Sequence, residues 1–139
     1  MFNYSGDDQL QDEETYMNSR QREFFRHRLK QWRKRLQLES RQSLQQILDN
    51  APQVGDLLDQ SVHDANRVMD FLARKRLERT ICQIDAALAR LNDGSFGYCL
   101  ETGEEIGIKR LLAYLIATLS VEAQEFREKR QRAIMAAVS

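Results

Sequence analysis

From Asn18 onward the apolar residues fall at helical spacing. Phe25, Leu29, Trp32 and Leu36 recur at intervals of 4, 3 and 4, the seam of a coiled coil. The seam thins at Ser40 and Ser43, then returns at Leu44, Ile47 and Leu48. Asn18 is a favoured N-cap, and Gln21 three residues later completes a capping-box pattern. Asn50-Ala51-Pro52 ends the helix, because the residue before proline is disfavoured in the α region, and Gly55 is a second breaker. The pattern predicts a first helix over about residues 18–50, roughly 50 Å long at 1.5 Å per residue.

A second helix is expected to begin near Asp56–Asp59 and to run to about Asn92. Its register is clearest in Leu77, Ile81, Ile84, Leu88 and Leu91. Upstream, Val62, Ala65, Met69 and Leu72 form a similar ridge, joined to the first through a phase slip around Arg76. Asp93-Gly94 closes the helix with the glycine expected past a helix end. Each helix needs a partner for its stripe, and the short connection makes the antiparallel neighbour the nearest one. The expected fold is mainly α: a long antiparallel coiled-coil hairpin over residues 16–93 with its tip near 50–61, then a small globular region and a C-terminal helix over 94–139.

In that last region, Ser95 to Arg110 carries three glycines and short alternating apolar runs, which suggest tight turns and a small β-ribbon. Leu111–Leu119 is strongly apolar. A final helix follows from about Ser120 to Ala136, with Ser120 as its cap and with Phe126, Arg130 and Ile134 on one face.

Composition agrees with long solvated helices: charged residues make up 30% of the 139 residues and aromatic residues 8%, with one proline. Lys+Arg and Asp+Glu balance at 21 each, so no global field draws the chain to nucleic acid or an anionic membrane. The balance hides a local pattern. Asp7, Asp8, Asp12, Glu13 and Glu14 make residues 1–15 an acidic, flexible tail, whereas residues 20–35 carry eight Arg and Lys residues against Glu23 alone. No apolar run reaches the roughly 18 residues of a membrane span, and no leader pattern precedes a cleavage site. A cytosolic monomer is therefore expected, with Cys82 and Cys99 as thiols rather than a disulfide framework. Neither cysteine has a histidine nearby to make a nucleophile–base pair, so no enzyme is read here.

Phe96-Gly97-Tyr98-Cys99, followed by Gly103 and by Ile106-Gly107-Ile108-Lys109-Arg110-Leu111, resembles the FGYC…CG…IGxxRL segment of the DksA/TraR family of transcription factors. Tyr16-Met17-Asn18 and Asp56-x-x-Asp59 match further family features in the same order, so the resemblance runs from about residue 16 to the C-terminus. It implies a regulator that inserts the hairpin into the secondary channel of RNA polymerase and modulates initiation at ribosomal RNA and stringent-response promoters. It also implies a departure. Most members begin a four-cysteine zinc site in this segment, whereas the four ligand positions here read Cys99, Thr102, Ser120 and Ala123. Structural zinc takes about four thiolate, imidazole or carboxylate ligands. One thiol cannot hold it, so no metal is expected. Packing of Leu111–Leu119 with Phe96, Tyr98 and Phe126 is expected to take over the metal's role.

On their own, Asp56 and Asp59 are helix N-terminal caps favoured by the dipole. The resemblance adds a role at the polymerase active site, with Ser61 beside them at the tip. Basic residues on the arms are commonly the solvated face of a coiled coil. The resemblance singles out Arg76 as a contact at the channel rim. Family members that respond to the alarmone ppGpp hold its phosphates with basic side chains. The aligned positions here are Gln83, Tyr114 and Gln124, which offer no fixed charge to a phosphate. Sequence-specific DNA binding is not expected, since no basic stripe with base-reading or stacking side chains is present. A Gre-like secondary-channel factor, a zinc-ribbon-like nucleic-acid binder and a general coiled-coil interaction protein are the alternatives.

Overall fold

A computed structural model describes residues 15–49 and 57–138, the side chains of 57–59 excepted. The acidic tail expected over 1–15 lies almost wholly outside the described residues, as do the Pro52–Gly55 turn and Asp56. Four helices follow in order: α1 (Ser19–Asp49), α2 (Leu57–Asp93), α3 (Ile108–Ala113) and α4 (Val121–Val138). Described contacts divide the chain into two compact units, one of residues 1–28 with 87–139 and one of residues 29–86.

The unit of residues 29–86 is an antiparallel helix pair. Its strands of chain are tied by Arg33, whose Nε donates to Asp85 Oδ1 at 2.6 Å. Leu29 and Ile84 are fully buried. Trp32, Leu36, Leu77 and Ile81 are half-buried, as a two-helix seam with water on both flanks requires. Towards the tip the seam loosens. Ser43, Gln46 and Ile47 face His63, Asn66 and Met69 across an open groove, and Leu44 and Leu48 are exposed.

The upstream ridge does not behave as expected. Val62, Met69 and Leu72 are exposed rather than packed in a seam, and Ala65 is exposed too. The physical reason is the unbroken helix. Five residues separate Leu72 from Leu77, and at about 100° per residue they point about 140° apart. A straight α2 cannot absorb the phase slip near Arg76, so Leu72 turns off the seam while Met69 stays at the groove opposite Ile47.

In the other unit the capping box at the start of α1 forms. Gln21 N–H donates to Asn18 Oδ1 at 2.8 Å and Asn18 N–H donates to Gln21 Oε1 at 3.4 Å. Phe24, Phe25, Leu91, Phe96 and Leu111 are buried in the same unit, with the Phe25 and Phe96 rings 5.5 Å apart. α2 ends at Gly94, whose φ is 85°, and Ser95 N–H returns to Arg90 O at 3.0 Å, the six-to-one bond of a Schellman end. The expected β-ribbon is reduced to a single antiparallel bridge between Tyr98 and Glu105. Positive-φ glycines at 97, 103 and 107, three within eleven residues, leave no run long enough for a ladder.

Ile116, Ala117 and Leu119 are buried with Phe96, and Tyr98 is half-buried, so most of the expected packing core forms. Phe126 does not join it; it is 67% exposed on α4, as is most of that helix. Ala123 is the residue of α4 that is buried.

Candidate functional site

The positions expected to have lost their metal ligands do converge. A turn brings Cys99 to Thr102: Cys99 N–H donates to Glu104 O at 2.7 Å and Gly103 N–H donates to Cys99 O at 2.8 Å. The segment before α4 is bound alongside, with Leu100 N–H donating to Thr118 O at 2.9 Å and Arg110 Nε donating to Leu119 O at 2.9 Å. Ser120 then caps α4. Its Oγ accepts from Ala123 N–H at 3.2 Å and its carbonyl from Gln124 N–H at 2.9 Å. Cys99, Ser120 and Ala123 are all buried.

The chemistry of this cluster is that of one thiol held by hydrogen bonds. Burial pushes the Cys99 thiol up. The Thr102 hydroxyl and the N–H groups of Ser120, Thr102 and Glu101 outweigh it and bring the thiol down to about 6. N–H groups that point at a sulfur stabilise a thiolate with or without a metal. The remaining donors do not complete a zinc site: Thr102 and Ser120 supply hydroxyls, Ser120 is engaged as a cap, and Ala123 supplies a methyl. Among the described residues, no group of three or more His, Cys, Asp and Glu side chains is placed to hold a metal ion. The donor set does not fit tetrahedral structural zinc.

Tyr16 is a positioning residue that periodicity does not reveal. Its hydroxyl donates to Gly97 O at 2.6 Å and accepts Gly107 N–H at 3.0 Å, joining the residues just ahead of α1 to both ends of the turn segment. Its ring stands edge-on to Tyr98 at 5.5 Å. The signal in the sequence was the position of Tyr16 just ahead of the Asn18 cap, which spacing alone does not explain.

Of the residues expected to act at the partner surface, Asp56 lies outside the described residues and Asp59 is described in its backbone alone, within α2. Ser61 and Arg76 are exposed on the same helix. Gln83 is exposed in the hairpin unit. In the other unit, Tyr114 is exposed at the end of α3, its N–H on Arg110 O, and Gln124 Nε2 bonds Glu128 Oε1 at 3.0 Å.

A helical hairpin joined to a knuckle built like a zinc finger but short of its ligands defines a class of small helical factors. The comparisons then settle the family. The profile described as DnaK suppressor protein DksA, N-terminal domain, matches residues 21–91, and that of the prokaryotic dksA/traR C4-type zinc finger matches residues 94–129. The RNA polymerase-binding transcription factor DksA of Caulobacter vibrioides (strain NA1000 / CB15N) is 41% identical over 87% of this chain and 85% of its own. The factor of the same name in Escherichia coli (strain K12) is 32% identical over 86% and 79%. The structure of transcription factor DksA2 from Pseudomonas aeruginosa superposes with a TM-score of 0.84 at 36% identity, covering 91% of this chain and 98% of that one. This chain belongs to the DksA/TraR family of transcription factors, and the segment that matches the family's zinc finger carries a single cysteine, Cys99. No helix among the described residues is long and apolar enough to cross a membrane.

Proposed function

We propose that this chain is a cytoplasmic regulator that binds RNA polymerase and modulates transcription initiation, acting by binding rather than by catalysis. The observation that carries this reading is the continuity of the match. Relatives named for polymerase binding align over 87% and 86% of this chain, across both the hairpin and the knuckle.

In this reading the hairpin enters the secondary channel and presents Asp56, Asp59 and Ser61 near the active site, while Arg76 contacts the rim. Carboxylates brought close to catalytic Mg²⁺ change the local electrostatics and hence the lifetime of promoter complexes. The factor works without structural zinc, because Cys99 is satisfied by hydrogen bonds and Ser120 by its cap. Gln83, Tyr114 and Gln124 supply no fixed positive charge to the phosphates of the alarmone.

The test is binding and promoter activity measured together. Wild-type chain should bind core RNA polymerase, and Asp56→Asn with Asp59→Asn should abolish its effect on a ribosomal RNA promoter while binding stays largely intact. Normal regulation by the double variant overturns the tip role, and no binding by the wild type overturns the function.

A further inference from the structure

α2 carries an apolar patch on the side turned away from the hairpin seam. Val68 is 58% exposed, Phe71 59% and Leu72 45%. Val68 precedes the seam residue Leu77 by nine residues, about 180° around the helix at 100° per residue. Phe71 and Leu72 lie on either side of it. These are three large apolar side chains within five residues, on a helix whose seam has no use for them. Single exposed apolar residues are ordinary, whereas a contiguous group marks a contact surface.

The charge behind the patch is net basic, with Lys75, Arg76 and Arg79 against Glu78, which pairs with Lys75 at 3.4 Å. Lys75 Nζ sits 5.4 Å from the centroid of the Phe71 ring, a cation–π contact that fixes the ring at the surface. Arg76 and Arg79 follow on the same side and are exposed. The patch is thus apolar towards the tip and cationic behind it, and its complement is an apolar strip bordered by carboxylates.

We infer that Val68, Phe71 and Leu72, with Lys75 and Arg79, form a docking surface for an apolar, acid-bordered strip on RNA polymerase. The inference rests on the polymerase reading above. Size favours that occupant over a second copy of this chain. The patch spans about 18 Å of one helix, too little for the roughly 1,200–2,000 Å² of a stable, specific interface. Its partner must be held by other contacts too, as a channel holding the whole hairpin would do.

The test uses the full chain with Phe71→Ser and Val68→Ser, made singly and together. All three side chains are exposed, so helicity by circular dichroism and the melting temperature should be unchanged. Affinity for core polymerase should fall about tenfold or more, the loss of a buried aromatic anchor, and saturating variant should regain promoter regulation. Lys75→Glu with Arg79→Glu should slow association and flatten its salt dependence. Unchanged affinity in the serine variants, with wild type bound, overturns the patch and leaves the polymerase reading standing. Failure of the wild type to bind overturns both. Wild-type self-association that the serine substitutions abolish would make a second copy the occupant and overturn the inference.

Discussion

The Tyr16 hydroxyl and Gly97 are 81 residues apart in the chain and joined by a 2.6 Å hydrogen bond, and the same oxygen accepts Gly107 N–H. Tyr16→Phe removes both bonds and keeps the edge contact with Tyr98. At about 0.5–1.5 kcal/mol net for each bond, the expected loss is about 1–3 kcal/mol, read as a fall of several degrees in melting temperature with native helicity retained.

The same phenol sets an alkaline limit. Burial is the main cause that pushes Tyr16 up to about 12 from an ordinary value of 10, against the N–H groups of Gly107 and Ile106, which lower it. The folded value lies above the unfolded one, so its contribution to stability is complete below pH 10 and is lost as pH rises through 12. Phenolate absorbance should show one tyrosine titrating late, and Tyr16→Phe should remove that step.

Gly97 and Gly94 both have positive φ, 89° and 85°, yet they should respond differently to alanine. A Cβ on Gly97 would lie 2.9 Å from Met17 Cγ and 3.0 Å from the Tyr16 hydroxyl, whereas one on Gly94 meets nothing within 4 Å. Gly94→Ala should cost about 1 kcal/mol, the conformational penalty alone. Gly97→Ala should cost more, about 2–4 kcal/mol, because Met17 must also move. Denaturant titration of the two variants measures the difference.

The sequence made both long helices, the Asn18 capping box and the Ser120 cap legible, since these follow from local spacing and side-chain chemistry. The family segment pointed to the cluster at Cys99, and the described positions do converge there. Two expectations failed for non-local reasons. The ridge of Val62, Met69 and Leu72 reads as a seam in isolation, but the unbroken turn count of α2 sets Leu72 about 140° from Leu77, and all three side chains are exposed. Phe126 shares a face with Ile134, yet it is 67% exposed, with no element among the described residues covering that face. Tyr16 was hidden for a third reason: a hydroxyl that bonds backbone leaves no periodic trace.

Arg33 and Asp85 pair across the hairpin at 2.6 Å, with both side chains partly in water. The hydrogen bond to Asp85 is the main cause that raises the Arg33 guanidinium further. Exposed pairs of this kind contribute little and are screened by salt. Asp85→Asn should therefore lower the melting temperature by less than Tyr16→Phe does. The deficit should shrink as salt is raised, in a series of thermal melts.

Restoring the ligands tests what the knuckle can hold. Purified wild type should carry no stoichiometric zinc, and a chelator should leave its melting temperature unchanged. Thr102→Cys, Ser120→Cys and Ala123→Cys together would place three more thiols at positions that already converge on Cys99. Four thiolates are a structural zinc set, so the triple variant should bind one zinc per chain and melt higher with metal than without. It should also lose the Ser120 cap, a cost of about 1 kcal/mol, and so be less stable than wild type when stripped of metal. Stoichiometric zinc in the wild type would refute the metal-free reading. A triple variant that binds none would show that the backbone around Cys99 has closed too far for a metal to enter.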